Sequence, residues 1–240
     1  MNLRWKVSAL VSTDSSCKDL TLQVYETSLL LAIVFGSLRH ASAIVPHLVP
    51  DLYLSCPVHS QNVVPAILVS SIYHLLAKYP SQGPFHQHMD SIPHQLFPKE
   101  SAARKWLTAL AACLRKRQYA VFERESRRST ILHVLGLEEE EPRLSEHLGS
   151  MAVLVAMDSL RAKARETAWT VMRSAYRELT CHVDSTNTRS WLERSLCLGS
   201  TSAEALTIPL EQFLDQQNSL GAVRAKEGIE GRWIICKIRS

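Results

Sequence analysis

The chain has 240 residues, 46% of them hydrophobic and 21% charged, a globular balance that excludes bulk disorder and suffices for one large domain or two modest ones. Its net charge of +4 is too small to demand a polyanionic partner. Eight glycines, with no G-x-G-x-x-G or G-x-x-x-x-G-K-[ST] pattern, exclude a Gly-rich nucleotide cradle.

Residues 1–18 have weak periodicity and are expected to form a loose N-terminal segment. Arg4 and Lys6 precede only the short stretch Val7 to Val11, a poor signal-peptide core. The longest apolar run, Leu29 to Phe35, is far short of the ~20 residues that span a bilayer, so no membrane partner is expected. From residue 19 to 187 the pattern predicts a helical body. Leu20, Leu22, Val24, Leu29, Leu30, Ile33 and Val34 fill a segment of helical length that Gly36 ends. A second segment begins near Leu38, and Pro46 and Pro50 should kink or split it. The third, Val63 to Ala77, carries Ile67, Leu68, Ile72, Tyr73, Leu75 and Leu76.

Tyr79 to Pro98 holds four prolines and three histidines with few apolar residues, which predicts a long surface loop. Ser101 fits a helix N-cap, followed by an apolar face of Trp106, Leu107, Leu110 and Leu114, and Gln118 to Arg124 reads as a short second helix. Helix pairs joined by short turns suggest an α-solenoid, each pair burying its apolar face on the next. The acidic run Glu138 to Glu141 ends at Pro142, a composition that suits a helix start. Met157, Leu160, Ala164, Ala168, Val171, Met172 and Ala175 then step by three and four, predicting a long helix from about Ser150 to Glu178. Arg161, Lys163, Arg165, Arg173 and Arg177 are expected on its outer surface.

Residues 188–240 form the expected C-terminal unit: a helix around Ser190 to Leu198, a turn, and a second helix opening at Ser202, which Pro209 interrupts unless it marks a separate short helix. Strand material comes after, with Val223 on one strand and Ile234, Cys236 and Ile238 on one face of the other. Helix, turn, helix and hairpin read as a winged helix. The expected fold is therefore mainly α, a helical-repeat body followed by a C-terminal winged helix.

Candidate chemistry is sparse. His86, His88 and His94, with Cys56 or His59, match no zinc spacing, and adjacency of Cys181 and His182 does not orient a thiolate against a base. The six cysteines are spread widely and read as buried free thiols of a reducing compartment. Neither G-x-S-x-G nor H-E-x-x-H occurs, so no catalytic residue, metal or cofactor is assigned, and the expectation is a non-enzyme. Two basic sets remain. Arg115, Lys116 and Arg117, with Arg124, Arg127 and Arg128, flank Tyr119 and Phe122, rings that stack bases if exposed and fill a core otherwise. Arg224, Lys226, Arg232, Lys237 and Arg239 surround the expected wing, where duplex contact and purely protein contact both stay open.

Several of these residues, in order, resemble the GANP/SAC-three family. Val24-Tyr25-Glu26-Thr27, Gly36-Ser37-Leu38 and Leu52-Tyr53 are similar to its V-Y-E-x-H, G-D-L and L-Y elements, with Ser28 where His is expected and Ser37 in place of Asp. Trp106, Leu110, Tyr119 and Phe122 are similar to a helix ending in G-N-Y-x-x-F-F, Arg117-Gln118 replacing Gly-Asn. Arg161-Ala162-Lys163-Ala164 with Ala175-Tyr176 resembles its V-R-x-x-A-L helix, and Trp191-Leu192 through Ser202-Ala203-Glu204 the opening of its winged helix. The resemblance implies a PCI domain acting as a scaffold in a nuclear complex that couples transcription to mRNA processing and export. It also implies partners among other PCI or complex subunits, a small acidic partner, and RNA or DNA. The alternative is a small PCI subunit of a proteasome-lid, signalosome or initiation-factor complex.

Overall fold

A computed structural model of the chain describes residues 15–56, 62–137, 148–182, 184–199, 201 and 207–236. The expectations for residues 1–14, the Glu138–Pro142 run, the helix start at Ser202 and the strand residue Ile238 lie outside them. The chain is mainly helical, as expected, with one small sheet. It divides into two compact units: Met1–Thr108 with Leu132–Ala156, and Ala109–Ile131 with Met157–Ser240.

In the first unit, helix α1 (Ser15–Val34) stops at Gly36, whose φ of +66° is the left-handed value that glycine adopts freely. The Ser37 N–H closes back on the Ala32 carbonyl at 2.7 Å, completing the cap. Helix α2 (Leu38–His47) runs into a helical turn, Leu48–Leu52, broken at the extended Val49, and then into Tyr53–Ser55. The break falls beside Pro50, as expected of a residue that lacks an N–H for the ladder, whereas Pro46 lies within α2 without splitting it. Helix α3 (Val63–Ala77) has the anticipated bounds, and Ile67, Leu68, Ile72 and Leu75 are wholly buried.

The segment expected as a surface loop contains helix α4 (Gly83–Ser91). Pro84 in its first turn presets the backbone, and Phe85, His88 and Met89 share a buried face. Histidine substitutes there for an apolar residue, which is why hydropathy alone reads the stretch as loop. The Ser70 hydroxyl gives its proton to the Ile67 carbonyl, so it accepts the N–H of His88 Nε2 at 2.9 Å. Burial, with the neighbouring His74 ring, pushes the His88 pKa down to about 3. A second buried polar pair lies nearby in sequence: the Tyr53 hydroxyl donates to Glu26 Oε1 at 2.8 Å. Helix α5 (Ala102–Arg115) opens as expected, Ser101 Oγ accepting the Arg104 N–H.

The second unit takes its material from α5 onward: α6 (Tyr119–Glu125), the start of α7 (Arg128–Leu135), and most of α8 (Leu148–Ala175). Strand β1 (Glu178–Thr180), helix α9 (Thr186–Ser195), helix α10 (Leu210–Ser219) and strands β2 (Val223–Ala225) and β3 (Arg232–Ile235) follow. Neither β1 nor α7 was expected from the sequence. Pro209 marks the start of a separate short helix, the second of the two expected alternatives, and sits at the N-cap of α10, where a missing N–H costs nothing.

All strands are antiparallel in the order β1-β3-β2, with Leu179 opposite Trp233 and Val223 opposite Ile235. The buried β3 residue is Ile235, facing the buried Val223, while Ile234 and Cys236 are half-buried. The expected apolar face is therefore one residue out of register, which in a strand moves it to the other side. Gly231 lets the strands meet. Its carbonyl accepts the Cys181 N–H at 2.6 Å, and a Cβ there would stand 2.7 Å from the His182 backbone.

Candidate functional site

Helix α8 supplies the stripe that organises the second unit. Met157, Leu160, Ala164, Ala168 and Met172 are buried as the periodicity predicts, whereas Val171 is half-buried and Ala175 exposed. The arginines expected outside are not all outside. Arg161 is 1% exposed. One guanidinium nitrogen donates to the Glu123 carbonyl at 3.1 Å and to Ser126 Oγ at 2.6 Å, and the other to the Gly199 carbonyl at 2.9 Å. The Glu123 carboxylate lies 3.6 Å away and is itself gripped by Arg127. Arg165 donates to the Leu196 and Cys197 carbonyls, and Arg173 to that of Cys236. Helix ends leave carbonyls without intrahelical partners, and forked guanidinium groups answer several at once. Only Lys163 and Arg177 of the five are exposed.

Arg115, Lys116 and Arg117 end α5 and turn the chain toward α6. Arg117 has φ +56°, and the Gln118 N–H closes on the Cys113 carbonyl at 2.9 Å. All three are exposed, and none makes an ion pair among the described residues. Arg124 and Arg127 are instead paired with Glu125 and Glu123. The rings beside them are core: Tyr119 is 7% exposed and Phe122 wholly buried. Arg117 borders a cleft of about 400 Å3 whose walls include Val121, Val171, Met172, Tyr176 and Trp191. The last two meet edge to face at 5.9 Å. Sequence reasoning missed this pair as neighbours of Arg117, because the three come from separate segments with no shared periodicity.

The wing set is divided. Arg224 is exposed and has no ion-pair partner among the described residues. Lys226 Nζ sits 3.0 Å from Glu178, and Arg232 lies 4.0 Å from the same carboxylate. Lys237 and Arg239 fall outside the described residues. The edge strand β1, absent from the sequence reading, therefore brings in a counter-charge. Lys226, Arg232, Arg189 and Glu211 border a second cleft, of about 650 Å3, distinct from the one at Arg117.

The histidines do not converge on one point. His86 and His94 are exposed, whereas His88 is turned inward to Ser70. Among the described residues no three His, Cys, Asp or Glu side chains form a metal-binding group. Burial pushes the Cys181 thiol up to about 11, away from the thiolate a nucleophile needs, while His182 Nδ1 faces Asp184 at 3.1 Å. Cys56, Cys113, Cys181 and Cys197 are free and buried. No described helix is long and apolar enough to cross a membrane.

The class defined by these observations is a mainly helical chain with a small antiparallel sheet and two separate surface cation sets. Comparison with protein-family models, with curated proteins and with solved structures finds no match to this chain.

Proposed function

We propose that this chain is a non-catalytic PCI-type scaffold resembling the GANP/SAC-three family, a helical-repeat body with a winged-helix cap, working in a nuclear complex that links transcription to mRNA processing or export. The observation that supports this most is the order, among the described residues, α8-β1-α9-α10-β2-β3 with sheet order β1-β3-β2, which agrees with the connectivity expected of a winged helix. Motif residues also meet one another. Glu26 and Tyr53, from the V-Y-E and L-Y elements, share a buried hydrogen bond. Arg161, from the V-R-x-x-A element, binds the carbonyl next to Phe122. Arg117, where the family has Gly, holds a left-handed φ that Gly prefers.

Nucleic acid would be held by Arg115, Lys116, Arg117 and Arg224 more than by Lys226 and Arg232, which already share Glu178. Replacing Arg115, Lys116 and Arg117 together by Ala should lower the slope of log affinity for a single strand against log salt by about 2, with Lys226→Ala changing it little. Equal slopes for the wild type and the triple variant would leave protein partners alone. That neutralised wing also favours the runner-up, a small lid, signalosome or initiation-factor subunit. Affinity purification of the tagged chain separates the two: mRNA-processing or export subunits are expected, and lid, signalosome or initiation-factor subunits would replace the first reading by the second.

A further inference from the structure

The two sides of α1 are both apolar, and only one is covered. Leu22, Leu29, Leu30 and Ile33 are buried, whereas Leu20, Val24, Leu31 and Phe35 are 61, 53, 39 and 79% exposed. At 100° per residue these four fall within a narrow stripe that also contains the exposed Thr27. No charged residue interrupts it; the helix carries Lys18 and Asp19 before it and the buried Glu26 on its other side. A stripe of this kind, about 22 Å long, is a helix-docking face rather than a solvated surface.

Its spacing suits a second copy of the chain. Leu20 and Phe35 lie equally far on either side of the Thr27-Ser28 bond, and so do Val24 and Leu31. An isologous contact about a two-fold axis requires this: if position i meets position j, then j meets i. We propose that α1 pairs antiparallel with α1 of a second copy, the axis passing over Thr27 and Ser28, whose small side chains allow close approach. Leu20 of each copy then packs on Phe35 of the other, and Val24 on Leu31. These four residues offer about 400 Å2 of apolar surface on each face, within what a monomer carries. Two such faces, with the polar residues beside them, reach the ~1,000 Å2 at which a specific interface begins. The inference rests on α1 alone and stands apart from the proposed scaffold role.

The mass of the purified full chain, measured by light scattering and by sedimentation equilibrium from 1 to about 50 µM, tests it. A dimer is expected for the wild type. Val24→Glu and Leu31→Lys, each at an exposed position, should each raise the dimer dissociation constant at least ~100-fold by burying unpaired charge. The double variant should dimerise again, because the introduced carboxylate of each copy faces the introduced ammonium of the other. Leu31→Gln, with no added charge, should weaken the dimer without altering the circular dichroism. A monomeric wild type, single variants that stay dimeric, or a double variant that stays monomeric would each overturn the proposal. A different protein, or another part of the same chain, covering this face gives the first of those results.

Discussion

The two units seal their buried polar groups in different ways. In the first, pairs of side chains satisfy one another inside an otherwise apolar core: Tyr53 with Glu26, and His88 with Ser70. In the second, arginines of one long helix donate to backbone carbonyls at the ends of shorter elements. The first unit also uses an arginine in this way, Arg104 donating to the Phe97 and Met89 carbonyls, but its packed helices supply most of their own backbone partners. A small unit built from short helices and three- or four-residue strands has many unpaired carbonyls for its size, and Arg161, Arg165 and Arg173 answer them.

That contrast predicts where each unit is fragile. Arg161→Met keeps the bulk but removes donors to three separate points, leaving buried carbonyls and Glu123 short of a partner. A loss of roughly 3–5 kcal/mol is expected in denaturant unfolding, with Arg161→Lys recovering only part, since one ammonium cannot reach both the Ser126 and Gly199 sides. An unfolding midpoint unchanged by Arg161→Met would remove the arginine account of the second unit. Tyr53→Phe deletes a single hydroxyl and should cost about 2 kcal/mol, because a buried carboxylate loses a hydrogen bond. A cost near zero would mean that Glu26 is well served without it.

Near neutral pH the smallest effect is the pH dependence carried by His88. Its folded pKa, about 3, lies below the unfolded value of roughly 6.5, so between these limits the unfolded chain binds the extra proton. Stability from this group is therefore complete above pH ~7.5 and declines as pH falls toward 3, by roughly 1–2 kcal/mol at pH 5.5. His88→Gln, which retains an N–H for Ser70, should remove that slope while other titrations continue. Parallel stability-against-pH curves for the two proteins would place the proton elsewhere.

Much of the helical framework is legible in the sequence, because long apolar faces and local caps are short-range signals. Val63 to Ala77 is an unbroken apolar helix, and Ser101 stands where a cap is needed. The failures have physical causes. Helix α4 escapes because Phe85, His88 and Met89 form a buried face in which histidine counts as polar until Ser70 is seen beside it. Strand β1 offers three residues, of which only Leu179 is buried, too little for any period-two pattern. The basic sets were readable as charge but not as availability: Arg161 finds its partners 35 and 38 residues away, and Glu178 comes to Lys226 only because β1 pairs with β3. Burial of Tyr119 and Phe122 was one of two readings open at the start, and Tyr176 with Trp191 beside Arg117 was not among them.

The central position of β3 orders events during synthesis. Both ladders of the sheet belong to it, β1 on one side and β2 on the other, and it leaves the ribosome after both. Until then the nascent chain carries β1 with its hydrogen-bonding edges open, and closing β1 on β3 spans more than fifty residues of intervening chain. Helices of the second unit can form as they emerge, but the sheet must wait, then assemble in one late step around Gly231. A protein stalled or cut before Arg232 would expose unpaired strands rather than a smaller version of the same unit.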